Sequence, residues 1–145
     1  IFYRTPERME ALLSYINERK EVLGLDVTVL GDAPNATIPG LKGPRAACHR
    51  EGILESDVIL VPLEDGDRCQ ALVAMGKTVV VIDLNPLSRS AQQASITIVD
   101  ELSRALNTML DLAESEGVVP VDKAYDHAAV LDAGLAEMLS ALKRA

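Results

Sequence analysis

The chain has 145 residues, 48% of them hydrophobic and 25% charged, which suits one folded domain and excludes disorder as its main state. Its 14 Lys and Arg against 22 Asp and Glu leave a net charge of −8, a poor basis for general nucleic-acid binding, which needs clustered cations. Aromatic residues reach only 3% with no Trp, and the 2 cysteines are Cys48 and Cys69, so stacking platforms, disulfide scaffolds and four-cysteine zinc sites are excluded as well.

Ile1-Phe2-Tyr3 reads as the tail of a strand whose beginning lies upstream. Arg4 and Glu7 stand where a secretory signal would need an apolar run. No apolar run approaches the roughly 20 residues of a membrane span. Together with two reduced thiols, this gives an expected cytoplasmic location. Thr5 is a good N-cap and Pro6 a good first helical residue. Met9, Leu12, Leu13 and Ile16 follow at helical spacing, and Gly24 ends that helix.

Val27 to Leu30 predicts a short buried strand, closed by Gly31. Asp32 to Pro44 holds three Pro and two Gly and predicts a long irregular loop. A short helix is expected over 46–55. Val58–Val61 is a β-branched apolar run, hence a buried strand. Asp65 can cap a helix from Gly66 to Met75, ended by Gly76. Thr78 to Leu84 and Ser95 to Val99 are two more strands. Asp100 is expected to cap a helix carrying Leu102, Ala105, Leu106, Met109 and Leu110. Glu116 to Pro120 reads as a linker, with Asp122 capping a last helix. There Ala124, Ala128, Leu131, Leu135, Met138 and Leu142 form a heptad seam. The seam fits either packing on its own domain or pairing with a second subunit; we expect a homodimer to which the last helix contributes.

Strands that are apolar throughout are buried on both faces, and strands alternating with helices make a mainly parallel sheet. The expected fold is α/β, a Rossmann-like three-layer domain over 1–115, with a linker and C-terminal helix over 116–145. In such folds ligands sit at the carboxyl ends of the strands. After the first long strand, Asp65, Asp67 and Arg68 stand at a helix start, able to hold Mg²⁺ or orient an amine; capping and a solvated turn are the simpler alternative. After the next comes Asp83-Leu84-Asn85-Pro86-Leu87-Ser88-Arg89-Ser90. Asp and Asn can bond ribose or base edges and Arg can fork onto a phosphate; an Asx turn is the plain alternative.

Lys42, Arg45, His49 and Arg50 lie in a run with no acid between residues 33 and 50. A phosphorylated substrate would explain Arg45 and Arg50; solvated loop charge would too. His49 has no neighbouring His, so no protein metal site is expected. Neither GxGxxG nor GxxxxGK[ST] occurs, so a nucleotide would bind by a less common arrangement.

The stretches FYRTPER (2–8), ATIPGLKGPRAACHREGI (36–53), SDVILVPLEDGDRCQALVAMGK (56–77) and VIDLNPLSRSAQQASITIVD (81–100) resemble the archaeal phosphopantothenate synthetases, the 4-phosphopantoate–β-alanine ligases. The likeness covers roughly 1–113. It implies an AMP-forming C–N ligase that joins 4-phosphopantoate to β-alanine in coenzyme A biosynthesis, using ATP and Mg²⁺, as a homodimer. It implies ATP contacts from Asp83, Leu84, Asn85, Arg89 and Ser90, and from Glu101 and Leu102 at the start of the last core helix. Family members usually read Asp-Asn where this chain has Asp100-Glu101. They also carry an N-terminal segment with ATP-contacting arginines before FYRT, so the chain is expected to correspond to the later part of a longer family sequence. The implied route activates the phosphopantoate carboxylate as an acyl-adenylate, which the β-alanine amine then attacks; Asp65 or Asp67 would orient that amine. The alternative reading is a non-catalytic nucleotide- or phosphate-binding module, or a dimerisation fragment. A dehydrogenase ranks behind both.

Overall fold

The computed structural model describes residues 5–62, 65–117 and 124–144. They fall into two compact units, 1–56 and 57–145. The expected strand tail at Ile1–Tyr3 and the Asp122 cap lie outside the described residues.

In the first unit, helix α1 (Pro6–Leu23) starts as its sequence requires. The Thr5 side chain accepts from the Arg8 N–H, and Pro6 needs no partner for the N–H it lacks. Gly24, at φ 62°, ends it and returns its N–H to Glu21. A left-handed residue there favours glycine because a Cβ would crowd the backbone. Of this helix only Met9 is buried. The strand expected at Val27–Leu30 is not formed: Val27 is half exposed and no described strand pairs with the segment. An apolar β-branched run becomes a strand only where a neighbour supplies the ladder.

The loop expected to be irregular folds instead into a small hairpin. Strand β1 (Ala36–Thr37) pairs antiparallel with β2 (Ala47–Cys48). Ile38 is wholly buried and its N–H reaches the Ala46 carbonyl at 2.8 Å. The helix expected over 46–55 is a single π-helical turn, Arg50–Leu54.

The second unit holds the α/β fold that the alternation predicts. Strands β3 (Val58–Val61), β4 (Thr78–Ile82) and β5 (Ile96–Ile98) form a parallel sheet in that order, with Val58 opposite Thr78 and Val80 opposite Ile96. Helices α2 (Gly66–Ala74), α3 (Arg89–Gln93), α4 (Leu102–Glu116) and α5 (His127–Arg144) flank it. The Rossmann-like reading therefore holds here. Val79, Val81 and Ile82 of central β4 are buried, with Cys69 and Leu72 of α2 and Ala91 of α3. By contrast β3 is not buried on both faces: Val58 is 62% exposed and Leu60 40%. Successive side chains alternate across a strand, and these two share the open face of an end strand.

Tyr125, His127 and helix α5 pack on β5. The Thr97 hydroxyl donates to the Ala91 carbonyl at 2.8 Å. Its single proton is thereby used, so His127 Nε2, 2.9 Å away, is the donor in the second contact. The Tyr125 hydroxyl accepts the Thr97 N–H at 3.3 Å. Asp126 caps α5 by accepting from the Ala129 N–H. Gly134 brings α5 close to Val99 and Pro86, so the inner face of this helix packs on its own unit. Among the described residues no helix is long and apolar enough to cross a membrane.

Candidate functional site

A cleft of about 310 Å³ opens at the carboxyl ends of the three parallel strands. Pro62 borders it after β3. Ile82, Asp83 and Leu84 border it at the end of β4. Asp100, Glu101 and Leu102 border it between β5 and α4. The cleft is thus acidic at three points and apolar between them.

The β4 end is rigid because its polar side chains are bonded to their own loop. Asp83 Oδ1 accepts from the Asn85 N–H at 2.9 Å, and Oδ2 from the Ser88 hydroxyl at 2.5 Å. Asn85 Oδ1 accepts from the Leu87 N–H at 3.0 Å. The Ser88 hydroxyl in turn accepts from the Ala91 N–H and caps α3. The strand ends at Ile82, two residues short of the expected Leu84, because Asp83 diverts the chain into this turn. The pleat does not continue to Asn85, and Pro86 is fully buried.

Neither Arg89 nor Ser90 lines this cleft. The Arg89 stem crosses Gly66 of α2. Its Nη1 pairs with Asp67 Oδ1 at 2.5 Å and its Nη2 donates to Gln70 Oε1 at 3.0 Å. Ser90 is wholly buried, and its Oγ has no hydrogen-bond partner. Asp65 caps α2 by accepting from the Arg68 N–H at 3.3 Å.

Asp100 was the cap expected for α4, but Glu101 does that work. Its two carboxylate oxygens accept from the N–H groups of Ser103 and Arg104, each at 3.0 Å. Those bonds hold its carboxyl below the usual carboxylate range. Asp100 instead pairs with Arg104, whose Nε lies 2.6 Å from Oδ1, and accepts from the Glu101 N–H. Arg104 holds Asp100 low, and Asp100 raises Arg104 in return.

Arg45 and Arg50 belong to the first unit, and the cleft to the second. Arg45 sits in the 3₁₀ turn Pro44–Ala46, and Arg50 opens the π turn with its N–H on Asn35 Oδ1 at 2.8 Å. Sequence reasoning missed Gly66, Gln70 and Arg104. Arg104 was findable from its i, i+4 spacing to Asp100. The others act through contacts that depend on how the loop and helices pack.

The pattern that defines the phosphopantothenate/pantothenate synthetase family matches residues 1–140. The chain is 41% identical over 150 residues to a 4-phosphopantoate–beta-alanine ligase of Thermococcus kodakarensis, covering 99% of this chain and 56% of that protein. It is 43% identical over 138 residues to the enzyme of that name from Thermococcus onnurineus, covering 91% and 51%. Against that of Methanosarcina mazei it is 41% identical over 149 residues, covering 99% and 56%. The chain spans about half the length of the curated relatives it matches.

Proposed function

Because the chain belongs to the phosphopantothenate/pantothenate synthetase family, we propose that it acts in an ATP-dependent C–N ligase that joins 4-phosphopantoate to β-alanine with release of AMP and diphosphate, on the route to coenzyme A. The observation that carries this reading is the cleft at the strand carboxyl ends, where parallel α/β sheets place their ligands.

Its chemistry assigns the parts of ATP. Ionised carboxylates accept hydrogen bonds and repel phosphate. Asp83, Asp100 and Glu101 therefore fit the ribose hydroxyls and the base amine, and Leu84 and Leu102 give the base an apolar wall. The triphosphate is read as running towards donors. Asn85 supplies an amide, and Arg89, with 60% of its side chain exposed, supplies guanidinium N–H groups. Ser90 contributes by packing, since its hydroxyl is buried. Arg45 and Arg50 are proposed to meet the phosphate of 4-phosphopantoate; an acid-free run supports this.

Asp65 is engaged in a cap and Asp67 with Arg89, so we give these two and Arg68 the task of shaping the β-alanine end of the site. Among the described residues no three His, Cys, Asp or Glu side chains converge as a metal site. Mg²⁺ is accordingly read as arriving on ATP phosphates, where it would neutralise their charge.

We read the working form as a cytoplasmic homodimer. Leu106, Met109 and Leu110 of α4 and Met138, Leu139 and Leu142 of α5 are all exposed, and apolar surface of this kind is normally covered.

The test is AMP formation that requires both 4-phosphopantoate and β-alanine, with calorimetric titration of ATP alongside. Asn85→Ala and Arg89→Ala should each weaken ATP by about tenfold or more, the loss of one good hydrogen bond. Parental ATP affinity in Arg89→Ala would move the phosphates elsewhere. Tight ATP binding with no AMP formed would favour the nucleotide-binding module instead.

A further inference from the structure

Arg89 is held from α2 by three residues that a phosphate contact alone does not require. Gly66 is buried, and a Cβ built on it would lie 2.7 Å from Arg89 Cγ, 2.8 Å from its Cβ and 3.0 Å from its Cδ. Gly66 is not among the glycines with positive φ. The position therefore demands glycine for room, not for backbone conformation. The crowded atoms include Arg89 Cβ, which is fixed to the α3 backbone, so the stem cannot simply swing aside. Past this crossing, Asp67 and Gln70 hold two different guanidinium nitrogens, at 2.5 and 3.0 Å. A guanidinium has five N–H donors, so these two contacts leave others to face a ligand.

We propose that Gly66, Asp67 and Gln70 are positioning residues that hold Arg89 in the one conformation able to meet a nucleotide phosphate, a role that rests on reading Arg89 as a phosphate ligand. Arginine loses much rotamer freedom when immobilised. A side chain already fixed by its neighbours gives up less of it when ATP binds, so its contact is stronger. Asp67 then acts on the nucleotide through Arg89.

The experiment is calorimetric titration with ATP of the full-length protein carrying Gly66→Ala, Gln70→Leu, Arg89→Ala, or Gly66→Ala with Arg89→Ala. Gln70→Leu is preferred to a change at Asp67 because it removes a tether without altering charge near the phosphates. Gly66→Ala should weaken ATP nearly as much as Arg89→Ala, about tenfold, and Gln70→Leu about threefold. The double variant should bind ATP no more weakly than Arg89→Ala alone; its residue-89 Cβ still meets the new Cβ at 2.8 Å, so its thermal stability stays below the parent's. Parental affinity in Gly66→Ala and Gln70→Leu, with Arg89→Ala weakened, overturns the positioning role and leaves the phosphate contact intact. A double variant clearly weaker than Arg89→Ala also overturns it, since Gly66 would then act by another path. Parental affinity in Arg89→Ala overturns the phosphate reading itself. Should Gly66→Ala fail to fold, Gln70→Leu decides: parental affinity there, beside a weakened Arg89→Ala, overturns the positioning role.

Discussion

Asp83 joins the end of β4 to the loop behind it through both of its oxygens. Asp83→Ala removes two acceptors at a half-buried position and leaves the Ser88 hydroxyl to find another partner. It should cost about 1–3 kcal/mol, and Asp83→Asn about half of that. Denaturant unfolding checks this: the midpoint should fall with an unchanged slope, and an unshifted midpoint would mean the turn is held by other means. The residue types at this site were legible, because Asp, Asn and Ser after an apolar strand carry a local rule: their side chains bond the backbone a few residues on. The same rule set the Asx-turn reading beside the nucleotide reading, and the turns are present. Arg89 and Ser90 were harder. Their directions depend on which face of α3 packs against α2, and no local pattern in eight residues encodes that.

At the level of the element, the start of α4 makes a pH prediction. Glu101 holds two helix-terminal N–H groups, and Asp100 holds Arg104. Both carboxyls lie below their ordinary values in the folded chain. A lowered folded value means the contribution to stability is present above the unfolded value and lost as pH falls through the folded one. The first turn of α4 should therefore lose its cap at a lower pH than ordinary Asp and Glu side chains would allow. Carboxyl-carbon NMR titration checks this. Arg104→Ala should raise Asp100 towards its ordinary value and leave Glu101 nearly unmoved, because the residue-104 N–H survives the change. Ordinary values for both groups in the parent would remove the cap from the argument. The helix itself was readable from its apolar spacing, but the cap was placed one residue early, since Asp and Glu side chains both reach a helix start. The strand at Val27–Leu30 was misread for a different reason: apolar β-branching states what a segment can do beside a partner, and says nothing about whether the partner is there.

At the level of the whole molecule, α5 packs on its own unit and carries exposed apolar residues along the rest of its heptad seam. Gly134 lies against Val99 and Pro86, and His127 donates to Thr97, so one face is bound within the unit. Met138 is 41% exposed and Leu142 75% exposed, so the later seam positions are not covered by their own unit. Leu131→Asp with Leu135→Asp would bury charge at half-buried sites and test stability rather than assembly. Met138→Asp with Leu142→Asp is the discriminating pair. The parent should sediment as a dimer and this variant as a folded monomer; an unchanged dimer would place the contact on another surface. The spacing showed that an apolar stripe existed, but a stripe alone does not say which of two surfaces each residue meets. Tyr125 adds a directional constraint. Its hydroxyl occupies the Thr97 N–H on the outer side of β5, so that margin of the sheet is stoppered against β-polymerisation. A recruited strand, whether a native neighbour or an aggregating stranger, would have to displace this phenol before it could pair with β5 at Thr97.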